Sequence, residues 1–358
     1  MNKEFFEALD ILERERHIPK SYMIEKVEAA LTTACKKELG ASNITVVIDP
    51  EKCDVKVYRK YTIVAEVEDP TTEITKEQIE ELEARQKELG IKHKVRSRRR
   101  SIGSDYEYEL HTKEFRRLSA QNAKQVIIQG IREAERSYQA KEYEDKRGEM
   151  LSAIVTKVED STGNVVVDTG ISQAVLLKSE QIPGEVLSVD DRIKVFATQV
   201  NTEAKGPLVS LTRIHPTLVK RLFEAEVPEI TEGTVTVRSI SREAGSRTKI
   251  AVSSRDENVD AVGACIGNKG ARIGAVVDEL NGEKIDVIPY SDDLCEYVKA
   301  ALSPATVKSV ELVGDRQTRA IVSPDQLSLA IGKMGQNARL AARLTGCKID
   351  IKSSDYED

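Results

Sequence analysis

Apolar residues recur at helical spacing through the first forty positions. Phe5, Leu9 and Leu12 mark one face, and Ile24, Val27, Leu31 and Ala34 mark another. The pattern predicts two helices, the second capped at Ser21 and stopped at Gly40. The spacing then shortens. Ile44 to Ile48 and Val55 to Val67 read as strands, with Asp49-Pro50 turning the chain between them. Thr75 to Leu89 predicts a charged helix with a solvated face, ending at Gly90. Ala123, Ile127, Ile131 and Ala134 carry a long helix over Leu118 to Ala140. Lys141 to Glu149 is almost devoid of apolar residues, which predicts a domain boundary open to protease.

Residues 150–211 change character. Strand candidates follow closely at Met150 to Val158, Val165 to Asp168, Val175 to Leu177, Ile193 to Thr198 and Leu208 to Leu211. Turn residues such as Ser161-Thr162-Gly163-Asn164 and Pro183-Gly184 separate them. Short strands at this spacing predict a small Greek-key barrel of the OB type. Such barrels stack bases on exposed aromatics. Phe196 is the segment's one aromatic residue, and a core position is expected for it.

From Pro216 the order is helix, strand, strand, helix, loop, helix, strand, and from Asp292 it repeats. The loops are Ile266-Gly267-Asn268-Lys269-Gly270 and Ile331-Gly332-Lys333-Met334-Gly335. Each closing strand carries Leu-x-Gly-x-Lys-Ile-Asp-aliphatic, at Leu280 to Val287 and again at Leu344 to Ile351. One Gly-x-x-Gly is a weak signal and fits any helix-turn-helix corner. Loop, helix and strand repeated in fixed order mark a duplicated structural unit. The reading is two tandem KH domains of type II, whose Gly-x-x-Gly loop clamps the backbone of single-stranded nucleic acid. Glycine allows the close approach, and the helix that follows presents amides to phosphate. Only Pro289-Tyr290-Ser291 joins the first unit to the second, so the two are expected to pack as one RNA platform.

Charge does not announce a nucleic-acid partner. The 358 residues carry 54 Lys+Arg against 60 Asp+Glu, a net charge of −6, and no third of the chain is basic overall. RNA affinity must then come from local clusters and backbone amides. Lys269, Lys333, Arg272 and Arg339 supply charge around the loops, with Asn268, Met334, Gln336 and Asn337 beside them. Arg242, Arg247 and Lys249 flank Gly245 and either extend that basic face or solvate a hairpin tip. The densest basic run, Lys92 to Arg100, reads equally well as an anionic-partner contact or as a protected sheet edge.

Catalytic signatures are missing. Gly263 to Gly270 lacks the Gly-Lys-Ser/Thr ending of a phosphate loop and the glycine spacing of a dinucleotide fingerprint. His17, His93, His111 and His215 form no metal-spaced pair. The five cysteines are scattered without Cys-x-x-Cys, as reduced cytosolic thiols would be. No apolar run approaches the roughly 20 residues that cross a bilayer. The expectation is a cytoplasmic, monomeric protein that is not an enzyme and takes no cofactor or metal.

Phe223 to Ile230, Arg242 to Val252, Val262 to Ile273, Gly282 to Asp286 and Leu327 to Ile351 resemble the bacterial transcription termination/antitermination factors of the NusA family. Ala120 to Val126 and Arg132 to Glu135 extend the likeness to the front of the chain. The resemblance implies a multidomain α+β chain. Residues 1–146 would form an N-terminal α/β domain with a linker helix, binding RNA polymerase beside the RNA exit channel. An S1-type OB barrel would follow over 147–213, then KH domains over 214–290 and 291–352, and an acidic tail over 353–358. It further implies partnership with nascent single-stranded RNA and with other Nus antitermination factors, and effects on pausing, intrinsic termination and antitermination. The acidic repeats of some members do not follow, so autoinhibition by them is not expected. A ribosome- or RNA-maturation factor would use the same KH modules without a polymerase-binding front domain.

Overall fold

The computed structural model describes residues 3–16, 18–50, 54–88, 95, 100–110, 120–201 and 207–356. The chain forms two compact units, Met1–Lys141 and Glu142–Asp358.

The front unit opens with α1 (Lys3–Arg16) and α2 (Lys20–Leu39), followed by β1 (Ile44–Asp49) and β2 (Asp54–Ile63). The short β3 (Glu73–Ile74), α3 (Lys76–Glu88), β4 (Asp105–Glu109) and the long α4 (Ala120–Asp145) complete it. Strand β2 pairs antiparallel with β1 and β4 and parallel with β3. Leu9, Met23, Val27 and Leu31 pack against Ile44, Val46 and Ile48. Gly130 brings α4 onto α2, since a Cβ there would lie 3.3 Å from the Val27 Cα. Helix α2 starts a residue before the expected Ser21 cap, directly after Pro19, and Gly40 ends it in the left-handed conformation. Of the basic run, Val95 pairs with Tyr108 and Arg100 is ion-paired with Glu83 at 2.7 Å. Lys92 to Lys94 and Arg96 to Arg99 lie outside the described residues.

The expected boundary at Lys141 to Glu149 is mostly helix, because α4 runs on to Asp145. Tyr143, the one aromatic residue in that polar stretch, is fully buried in the barrel core. Its hydroxyl bonds Thr169 Oγ1 at 2.6 Å and Ser172 Oγ at 3.0 Å.

The second unit begins with β5 (Met150–Val158), β6 (Val165–Asp168), β7 (Gln173–Leu176), β8 (Arg192–Val200) and β9 (Val209–Thr212). They form one antiparallel sheet in the order β7-β6-β5-β8-β9, a barrel-like OB arrangement. Alternate residues Leu151, Ala153 and Val155 of β5 fill its core. Phe196 is buried as expected, but in the neighbouring core. A shift in the β8–β9 register follows it, and its ring stacks on His215 at 5.1 Å.

Next come α5 (Pro216–Glu226), α6 (Pro228–Thr231), β10 (Val235–Glu243), β11 (Arg247–Ser254), α7 (Ala261–Ile266), α8 (Ala271–Glu279) and β12 (Lys284–Pro289). The plan recurs in α9 (Leu294–Ala301), β13 (Val307–Gly314), β14 (Gln317–Val322), α10 (Pro324–Ile331), α11 (Gln336–Thr345) and β15 (Lys348–Ser353). In both sheets the middle strand is antiparallel to the first and parallel to the last. This is the type II KH plan, twice. Ser353, expected in a tail, closes β15, and Ser354–Tyr356 form a further turn.

The two KH sheets meet different surroundings. Ala251 and Ile288, on the outer face of the first sheet, enter the second core beside Tyr297, Val298 and Leu344. Ser239 Oγ meets the Tyr297 hydroxyl at 2.6 Å and donates to the Leu344 carbonyl. In the second sheet the exposed Lys352 stands where Ile288 stands in the first, while Ile321, at the place of Ala251, is buried.

Candidate nucleic-acid interface

Each Gly-x-x-Gly segment folds as a single tight turn between two helices. Gly267 and Gly332 have φ of 76° in both loops. A Cβ at Gly267 would lie 2.8 Å from Cγ of Arg272, and one at Gly332 would lie 2.8 Å from Asn337. Positive φ and close packing together demand glycine at these two positions. Helices α8 and α11 start immediately after the turns, so the positive ends of their dipoles lie behind the loop tips.

Asn268, Lys269, Lys333 and Met334 are exposed at the tips. Among the described residues, neither Lys269 nor Lys333 has an ion-pair partner. Both charges are therefore free to meet an anion. Gly270 and Gly335 hold the second left-handed position, with φ of 77° and 74°.

The flanking residues divide. Arg272 pairs with Glu229 at 2.9 Å and donates to the Ala264 carbonyl at 2.7 Å, so it braces the first loop. Asn337 stands at the matching place in the second loop and is buried, donating to Leu302 and Ala330 carbonyls. It was expected among the RNA contacts, and its side chain faces inward instead. Gln336 donates to Glu243 at 2.8 Å and to Ser246 at 2.7 Å. Arg339 is exposed, donates to the Met334 carbonyl, and pairs with Glu243 at 3.2 Å. Glu243 of the first KH sheet thus holds the base of the second loop.

The expected basic face around Gly245 is corrected more sharply. The Arg242 and Glu283 side chains are fully buried and paired at 2.9 Å. Arg242 also donates to the His215 carbonyl, and Glu283 accepts from Gly245 and Thr248. Lys249 is fully buried, bonded to Asp286 at 2.9 Å and to the Ser303 carbonyl. Arg247 keeps 22% side-chain exposure, but Asp286 binds it through Nε and Nη2. A lysine on β11 sits on the face that the second KH unit covers, and it is there to meet Asp286 across the sheet. The register offers a sequence clue, since Lys249 opposes Asp286 as Arg319 opposes Asp350 in the repeat.

Burial favours the neutral form of both partners in this cluster. At Asp286 the bonds from Arg247 and Lys249 outweigh it and hold the carboxyl below its usual range. At Lys249 burial prevails over the attraction of Asp286 and lowers the ammonium. A depressed carboxyl contributes stability above its unfolded pKa, and that contribution is lost as pH falls through the folded value. Asp286→Asn should therefore destabilise the protein by about 3 kcal/mol at neutral pH. It should also flatten the stability loss below about pH 4. Urea titrations at pH 7 and pH 3 check both.

Sequence reasoning missed the clamp between barrel and first KH unit. Arg213 is 1% exposed and bonds Glu185 at 2.5 Å, Glu279 Oε1 at 2.8 Å and the Lys194 carbonyl at 2.6 Å. Its partners lie 19, 28 and 66 residues away along the chain, beyond any local pattern.

The chain matches three family models: a NusA N-terminal domain over residues 4–137, a NusA-like first KH domain over 213–290 and a NusA-like second KH domain over 294–358. It is 43% identical over 355 residues to a transcription termination/antitermination protein NusA of Halalkalibacterium halodurans, covering 99% of this chain and 89% of that one. The Bacillus subtilis protein of that name is 44% identical, with 99% and 91% covered. The Thermus thermophilus protein is 39% identical over 370 residues, with 100% and 92% covered. Likeness along the whole length joins the two loops and the three matched domains into one conclusion: the chain belongs to the NusA family of transcription termination/antitermination proteins.

Proposed function

We propose that this chain is a non-catalytic elongation factor that binds RNA polymerase near the RNA exit channel and holds the nascent single-stranded RNA. In that reading residues 1–146 dock on polymerase. The barrel (147–213) and the KH domains (214–290 and 291–352) form the face for the transcript. The factor prolongs pauses, promotes intrinsic termination and, with other Nus factors, supports antitermination in the cytoplasm. The contact residues are Gly267, Asn268, Lys269, Gly270, Gly332, Lys333, Met334, Gly335 and Arg339.

One observation carries the RNA part. Two loops with the same turn, each with an exposed unpaired lysine, stand on one compact unit. A strand that engages one loop meets the other at high effective concentration. Family membership supports the polymerase part. The test is competition on immobilised RNA polymerase. A fragment of residues 1–141 should displace the full chain, and residues 142–358 should not. Displacement by the second fragment alone would contradict the division.

A further inference from the structure

The two loop tips share one backbone and differ in chemistry. The first glycine has φ/ψ of 76°/174° in loop one and 76°/171° in loop two. The third position, Lys269 or Met334, has 52°/27° and 50°/30°. The closing glycine has 77°/16° and 74°/16°. Side chains at matching positions therefore leave the turn in the same direction. Where the first loop presents a lysine, the second presents a methionine, and its lysine has moved one place earlier.

Met334 is a costly residue to find there. A left-handed conformation costs a non-glycine residue roughly 1–2 kcal/mol. Met334 is also 87% exposed, so packing within the chain does not repay that cost. Its carbonyl is held by Arg339, and Arg339 by Glu243, so the tip is fixed in position. Leu329 and Ile331, on the helix leading into the loop, are partly exposed and add apolar surface nearby. An unbranched thioether is polarisable and rests well against a π face. Every nucleobase offers such a face once unstacked.

Resting on the RNA reading above, we propose that Met334 packs against an unstacked base of the bound strand, while Lys269 at the matching place contacts a phosphate. The second loop is then a base-contacting site and the first a phosphate clamp. The flexible methionine accepts any of the four bases, so the contact selects for single-strandedness rather than for sequence.

The test is a fluorescence-anisotropy titration of the full chain with labelled single-stranded RNA long enough to span both loops, at several KCl concentrations. Met334→Gln keeps the length and removes the apolar contact. It should weaken binding roughly threefold to tenfold at every salt concentration without changing the salt slope. Lys269→Met should flatten the slope by about 0.7, and Met334→Lys should steepen it by about 0.7. With one abasic residue walked along the RNA, the Met334→Gln effect should vanish at a single position. If Met334→Gln binds every RNA as the parent does while Lys269→Met still weakens binding, the base contact is refuted and the RNA reading stands. If Lys269 and Lys333 substitutions both leave binding unchanged, the RNA reading itself fails.

Discussion

Replacing Asn268-Lys269 and Lys333-Met334 together by Asp-Asp should reduce affinity for single-stranded RNA at least about a hundredfold near 0.1 M salt. Two unpaired cations are lost, and carboxylates take their places against the phosphates. All four side chains are exposed, so the fold should hold, with the unfolding transition displaced by no more than about 0.5 kcal/mol. Aspartate also tolerates the left-handed position better than lysine or methionine does. Anisotropy reports the first quantity and thermal melting the second. Each single-loop replacement should give an intermediate loss, since the remaining loop still engages the strand. Full affinity in the double replacement would remove the loops from the interface.

Arg213→Ala should destabilise the second unit by about 3–5 kcal/mol. The guanidinium bridges Glu185 of the barrel and Glu279 at the end of α8, and it caps the Lys194 and Glu279 carbonyls. Its removal strands a nearly buried carboxylate at Glu185. Arg213→Lys should recover only part of the loss, because a point charge cannot serve both carboxylates and both carbonyls. Urea unfolding of the full chain gives the values. A change below about 1 kcal/mol would mean that the clamp relaxes without cost. If the barrel and KH units then unfold in separate transitions, Arg213 is also what couples them.

The order of elements was legible because it is local. Periodicity, turn residues and the repeated Leu-x-Gly-x-Lys-Ile-Asp strand place both KH units and the five barrel strands within a few residues. The loops were legible for the same reason. The partners of charged residues were not. Arg242, Arg247 and Lys249 look alike in the sequence, a basic cluster around a glycine turn. Their fates depend on Glu283 and Asp286, some forty residues on, and on a second domain that covers one face of β11. Asn337 looks like a loop residue and is held inside by its amide, which donates to the Leu302 carbonyl 35 residues away and to the Ala330 carbonyl. Lys141 to Glu149 reads as a boundary because seven of nine residues are charged, and the two units divide after Lys141, yet Tyr143 anchors the stretch in the barrel core. Composition reports the solvated face of such a helix and says nothing of the single side chain on the other.

The proposed path of the transcript leads from polymerase across the two loops. Its most direct measurement is a crosslink map on a paused elongation complex, with photoreactive uridine placed at successive positions in the emerging RNA. The account predicts RNA crosslinks at residues 267–270 and 332–335, in adjacent stretches of the transcript, and polymerase crosslinks within the front unit. Crosslinks of the emerging RNA to the front unit with none at either loop would contradict it.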